Sequence, residues 1–299
     1  MGKIYALYNP LASNMSGQEK AFTLSDFFPK NSFEFFDIRN VDFADLSKQL
    51  KKDDTIIVCG GDGTLNRFIN SVYDLNLENE ILYYATGTGN DFLRDIGSAV
   101  EDDPVKVNDY ISNLPVVTVN GNSYRFINGV GYGIDGYCCE VGDNLRSKGV
   151  KKINYSSIAI KGLLFHYKPT NATVTVDGVS YKFKKVWIAP TMSGRYYGGG
   201  MNPAPGQHRE DRQKHVSLSL LFGSGKLKTL MMFPSLFKGE HIKYENNVKV
   251  FEGKHITVEF DRPTPLQIDG ETILNVSSYE AFTADEYSKL QNTITHTTV

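Results

Sequence analysis

Cysteine is scarce in this chain: there are three, and two of them, Cys138 and Cys139, are adjacent. Three cannot build a disulfide framework, and no Cys/His spacing suggests zinc, so a reducing compartment is expected. Long apolar runs are also missing. Nothing approaches eighteen uninterrupted apolar residues, which argues against a membrane-spanning helix and leaves any lipid to be met at the surface. Met1 to Tyr8 is too short for the apolar segment of a signal peptide, and Asn9-Pro10 ends it. Charge of one sign is absent as well: the formal net charge is -2, so a nucleic-acid partner held by bulk charge is not expected. There is no low-complexity tract. What remains is an ordinary globular composition, 40% hydrophobic and 22% charged, in 299 residues, enough for two modest domains with real cores.

The chain is organised around Val58-Cys59-Gly60-Gly61-Asp62-Gly63-Thr64. Asp54 to Val58 is a β-branched run that reads as a buried parallel strand. After the glycines, Leu65, Phe68, Ile69 and Val72 recur at helical spacing. A strand, a glycine turn and a helix N-terminus together suit a polyphosphate, because backbone N–H groups face the ligand and no Cβ keeps it away. Asp62 would repel such a ligand unless a cation lay between them, which points to Mg²⁺. The plain alternative is a tight turn in which Asp62 and Thr64 cap the helix.

A second such turn follows. Ile81 to Ala85 reads as a strand and runs into Thr86-Gly87-Thr88-Gly89-Asn90-Asp91-Phe92-Leu93-Arg94, so both turns belong at the carboxyl edge of one parallel sheet, where open α/β folds bind ligands. The strings CGGDGTLNRFIN and GTGNDFLRDIG resemble the catalytic domain of the diacylglycerol kinase family, which includes bacterial lipid kinases and the sphingosine kinases. GGDGT alone also occurs in NAD kinases, whereas GTGNDFLR is far more specific. An earlier loop, Asn9-Pro10 with small residues up to Gly17, is similar to the family's first nucleotide loop. It departs from the pattern at Gln18 and Glu19, which leaves Lys20 as the nearest cation.

Beyond Asp102-Asp103-Pro104 the pattern changes to hairpins, with Asn120-Gly121 and Asp177-Gly178 as turn signals between strand-forming runs. The fold class expected is therefore α/β plus β: an N-terminal doubly wound parallel α/β nucleotide-binding domain over 1–120, and a C-terminal antiparallel β-sandwich over 121–283 for the lipid substrate, with the active site in the cleft between them. Residues 284–299 are expected to form a helix and tail that pack back on the first domain. Two segments, 144–168 and 226–238, join lysines to apolar residues, as a protein touching anionic lipid requires, although such stripes are more often core. Glu210-Asp211-Arg212 carries an arginine where many bacterial members have a glycine near a structural Mg²⁺, which puts that metal site in doubt. Lys238-Gly239-Glu240-His241 resembles the family's GxH element, and the isolated histidine has no independent claim to catalysis.

The resemblance implies an ATP- and Mg²⁺-dependent lipid kinase. Asn9, Gly60, Gly61, Gly63, Thr64, Thr86, Gly87, Thr88, Gly89, Asn90 and Arg94 are the expected nucleotide contacts, and Asp62 and Asp91 the expected metal ligands. In Leu266-Gln267-Ile268-Asp269-Gly270-Glu271, read from turn preferences alone as a common hairpin, the family places an acidic residue that reaches the nucleotide loops. Glu271 or Asp269 would accept the acceptor hydroxyl's proton, with Asp62 as the alternative base. Asp135, in a glycine-rich segment that otherwise reads as a bulged strand, would hold the lipid head group with Lys161. An NAD kinase and a non-catalytic lipid- or nucleotide-binding regulator of the same fold are the alternatives. The expected partner is a lipid at the membrane surface and the expected place the cytoplasm, transiently at the inner face; monomer and homodimer both stay open.

Overall fold

A computed structural model describes residues 2–28, 32–87, 90–100, 103–150 and 153–297, and the chain divides into two compact units, Met1–Ser112 and Asn113–Val299. In the first, β1 (Ile4–Tyr8), β2 (Phe33–Asp37), β3 (Thr55–Gly60), β4 (Glu80–Ala85) and β5 (Val105–Lys106) form one sheet in the order β2-β1-β3-β4-β5. The first four run parallel, and the short edge strand β5 pairs antiparallel with β4. Ile56, Ile57, Val58 and Cys59 are all fully buried, as a central parallel strand covered on both faces requires. The helix Asp62–Val72 buries Leu65, Phe68, Ile69 and Val72, the positions that carry its helical period. The helix Phe43–Gln49 starts where Asp42 accepts a hydrogen bond from the Asp45 N–H at 3.1 Å.

The second unit joins ten antiparallel strands in one network. They are β6 (Val116–Val119), β7 (Asn122–Arg125), β8 (Gly129–Tyr132), β9 (Thr170–Val176), β10 (Val179–Val186), β11 (Thr191–Met192), β12 (Val216–Leu221), β13 (Val248–Gly253), β14 (His255–Ile268) and β15 (Glu271–Phe282). The path β13-β12-β11-β8-β14-β15-β6-β7 carries the β9–β10 hairpin as a branch on β14. Val117 of β6 and Leu218 of β12 lie far apart along that path yet share one buried core with Tyr132, Val174, Ile256 and Tyr279. The sheet therefore wraps over its own core as a sandwich. A second core, containing Ile134, Leu163, Trp187, Met232 and Leu236, seats the helices Ile134–Ser147 and Lys226–Leu236 on this unit.

The helix Ala284–Thr297 belongs to the second unit, where the Tyr287 hydroxyl lies 2.9 Å from that of Ser123 and its ring packs against Phe282. The anchor is a tyrosine one turn into the helix, directly after β15.

Candidate active site

In the first unit the sheet's carboxyl edge draws three loops together. Asn9 follows β1, its amide donates to the Thr64 hydroxyl at 3.1 Å, and its side-chain oxygen accepts from the Leu11 N–H at 3.0 Å. Thr64 is buried in the first turn of the helix behind Gly60 and Gly61. The Gly60 carbonyl accepts from the Thr86 and Gly87 N–H groups at 3.0 and 3.3 Å. The Asn90 amide closes the second loop on the Gly87 carbonyl at 2.9 Å. Thr88 and Gly89 lie outside the described residues.

The glycines have a reason that sequence reading missed. A Cβ on Gly60 would sit 2.3 Å from Thr64 Cβ, and one on Gly87 would sit 2.9 Å from the Gly61 Cα. They are needed so that the loops can touch one another, before any phosphate is considered. Tyr83 was missed too: it is buried within β4, with its hydroxyl 3.2 Å from the Gly60 carbonyl and 3.4 Å from the Asn90 side-chain oxygen. Burial, with the Asp62 charge adding to it, pushes the Tyr83 hydroxyl well above its ordinary range, so it stays a neutral donor. Lys20, the cation nearest to the first loop, extends its ammonium to the Thr86 carbonyl at 3.3 Å.

Asp62 joins the two glycine turns. Its carboxylate accepts from the Asp91 N–H at 2.7 Å and the Phe92 N–H at 3.4 Å, so it caps the neighbouring helix, Asp91–Ile96, while beginning its own. Asp91 itself is buried, and its backbone amide makes this contact. Arg94 stands exposed in the last turn of that helix. Among the described residues no group of three or more His, Cys, Asp or Glu side chains could hold a metal. Mg²⁺ needs fewer, since it is commonly held by one or two carboxylates together with substrate phosphates and water. The Asp62 carboxylate, at the start of its helix, is of the donor type that role asks for. Among the described residues the buried Thr86 hydroxyl has no hydrogen-bond partner, the kind of group a bound ligand satisfies.

In the second unit, Asp269 and Glu271 flank the turn between β14 and β15, with Asp269 at φ +46 and Gly270 at φ +98, the backbone of a tight hairpin. Their environments differ. Asp269 is buried, and its carboxylate accepts from the N–H groups of Ile127, Asn128 and Gly129 at 2.7, 2.9 and 2.9 Å. Arg209, also buried, donates to the Ile127 carbonyl at 2.5 Å and to the Asn128 side-chain oxygen at 2.6 Å, and its charge acts on Asp269. Burial raises the Asp269 carboxyl to about 6 against those amides and that charge. Asp269 thus ties the turn to the entry of β8 through three backbone amides. Glu271 is exposed at the first position of β15.

Asp135 is buried in the first turn of the helix Ile134–Ser147, not at the solvent end of a bulged strand. Gly133 makes this placement possible with φ +108, where a Cβ would meet the Trp187 carbonyl at 2.4 Å. The Tyr197 hydroxyl donates to Asp135 at 2.5 Å. Tyr197 reaches it from the Ser193 to Met201 loop, in which Gly198, Gly199 and Gly200 all take positive φ. His241 supports that region: it is buried, with Nε2 2.9 Å from the Pro203 carbonyl, and burial lowers its pKa. Lys161, the other expected substrate contact, stands exposed at the end of the helix Tyr155–Lys161. Asp211 pairs with the exposed Lys214 at 2.8 Å.

Burial lifts the Asp135 carboxyl to about 7, with the Tyr197 hydrogen bond opposing the shift. A carboxyl raised in the folded state stabilises the fold fully below its ordinary value of 3.8 and loses that contribution as pH rises through about 7. Asp135→Asn is therefore expected to flatten the stability profile between about pH 4 and pH 8, by at most about 4 kcal/mol. Urea midpoints across that range check it, and parallel profiles for the two proteins would refute the assignment.

A parallel sheet with glycine loops at its carboxyl edge, followed by an antiparallel sandwich, is the fold class of two-domain diacylglycerol kinases. The diacylglycerol kinase catalytic domain model matches residues 3–119, and the YegS C-terminal NAD kinase beta sandwich-like domain model matches residues 128–281. The chain belongs to the diacylglycerol kinase catalytic-domain family. It is 26% identical over 227 residues to the diacylglycerol kinase of Bacillus subtilis (strain 168), covering 74% of this chain and 72% of that one. YtlR of the same organism is 24% identical over 234 residues, covering 72% and 73%. A crystal structure of a diacylglycerol kinase from Bacillus anthracis str. Sterne shares the fold at TM-score 0.58 and 19% identity, with 94% of each chain covered.

Proposed function

We propose that this protein is an ATP- and Mg²⁺-dependent lipid kinase that transfers a γ-phosphoryl group to a lipid hydroxyl. The observation that carries this reading is the joining of three loops at one sheet edge, with Asp62 bonded to the helix N-terminus of the second glycine turn. Phosphoryl transfer asks mainly for positioning and for charge stabilisation, and such an edge supplies both. Bound ATP with Mg²⁺ supplies the phosphoryl group and neutralises part of its charge. Asn9, Thr64, Asn90 and the glycine-turn amides hold the phosphates, and Lys20, beside Thr86, adds a cation. Asp62 supplies the carboxylate for the metal.

In the second unit, Asp135 and Tyr197 offer a buried donor and acceptor for the acceptor lipid's polar head. Glu271 receives the hydroxyl proton, because the Asp269 carboxylate is committed to backbone amides. A carboxylate suffices for this, since in a loose transition state the proton leaves late and orientation matters more than basicity. The test is transfer of labelled γ-phosphate from ATP into a mixed lipid extract in detergent micelles, with NAD in a parallel tube. Label in the organic phase supports the proposal. Label only in the NAD tube makes the protein an NAD kinase, and no label in either makes it a binding protein.

A further inference from the structure

The helix Lys226–Leu236 buries Thr229, Met232 and Leu236 and turns the opposite face outward. On that face Leu227 is 74% exposed and Met231, one turn on, 79%. Lys226 donates to the Leu164 carbonyl at 2.6 Å, which ties the start of this helix to the turn Gly162–His166. The next residue in that turn, Phe165, is 73% exposed. Three large apolar side chains standing in water on two tied elements are not the buried stripe that such segments usually supply. Ile160 and Phe237 extend the exposure along the chain on either element.

The two segments that carry them hold charge of one sign. Residues 144–168 and 225–238 contain no aspartate or glutamate, and they carry Lys161, Lys168, Lys226, Lys228 and Lys238. Beside Phe165, a hollow of about 350 Å³ is lined by His166, Lys168 and Arg262 together with Tyr137 and Tyr167. Asp261, next to Arg262 in the chain, is held by the Asn171 amide at 2.7 Å. The core beneath this face contains Leu163, Met232 and Ile134, and Ile134 is the residue before Asp135.

We infer that this face is the surface by which the protein docks on an anionic lipid bilayer, with Phe165, Leu227 and Met231 entering the interface and the lysines meeting the head groups. The partner follows from the charge: apolar side chains alone would suit many occupants, but the two segments that carry them hold lysines and no carboxylate, which complements a negative lipid surface. The inference deepens the proposed lipid acceptor, since a lipid kinase must reach its substrate in the membrane.

Vesicle flotation tests the inference without any turnover. Wild-type protein is expected to float with vesicles of equal parts phosphatidylglycerol and phosphatidylcholine, to stay behind with phosphatidylcholine alone, and to be released by salt. Leu227→Ser with Met231→Ser is expected to weaken the partition roughly a hundredfold with little change in thermal midpoint, because both side chains are exposed. Phosphorylation of a short-chain, water-soluble diacylglycerol should stay unchanged in that variant, which separates failure of docking from failure of the kinase reading. Equal flotation of wild type and variant overturns the inference, and so does equal binding to neutral vesicles. A dimer in sedimentation that the double variant splits would assign the face to a second copy of the chain instead.

Discussion

Asp62→Asn and Asp62→Ala are both expected to lower lipid kinase turnover by roughly a thousandfold or more, and only the alanine variant is expected to lose stability. Turnover falls because either change removes the carboxylate charge that the proposed metal requires, and charge neutralisation carries much of the catalysis of phosphoryl transfer. The stability difference follows from the cap. Asparagine keeps a side-chain oxygen for the closer Asp91 N–H and gives up only the 3.4 Å contact from Phe92, whereas alanine abandons both, at a cost of about 1 kcal/mol for a lost helix cap. Measuring kcat and urea midpoints for both variants decides between the roles. An asparagine variant that keeps turnover within about tenfold of wild type would reduce Asp62 to a structural tie between two loops.

The largest loss of stability is expected from Asp269→Ala. Three buried N–H groups, of Ile127, Asn128 and Gly129, would lose their acceptor, and the buried guanidinium of Arg209 would lose the carboxylate whose charge it faces. Leaving a buried charge and buried donors uncompensated costs on the order of 3–5 kcal/mol. Asp269→Asn retains one acceptor oxygen and should cost less, roughly 1–3 kcal/mol. Chemical denaturation of the two variants measures this ranking. A fold unchanged in Asp269→Ala alongside a collapse of turnover would return Asp269 to the reaction and displace Glu271 as the proton acceptor.

Much of this was readable from the chain itself, because strand, turn and helix are local patterns. The β-branched run before Gly60, the helical spacing of Leu65, Phe68, Ile69 and Val72, and the glycine turns placed two loops at the end of a parallel sheet. The specific string around Asn90 placed the chain in its family, which both domain models match. The shift to hairpins after Pro104 marked the antiparallel half. Tertiary structure decided what these residues do to one another. That Asp62 caps a helix twenty-nine positions away, that Asp269 is spent on amides about 140 positions upstream, and that Tyr197 reaches Asp135 across 62 positions are products of topology. No sequence period encodes such contacts. The exposed trio Phe165, Leu227 and Met231 has the same origin: by sequence their segments look like core, and only the packing of Thr229, Met232 and Leu236 fixes which side of the helix faces water.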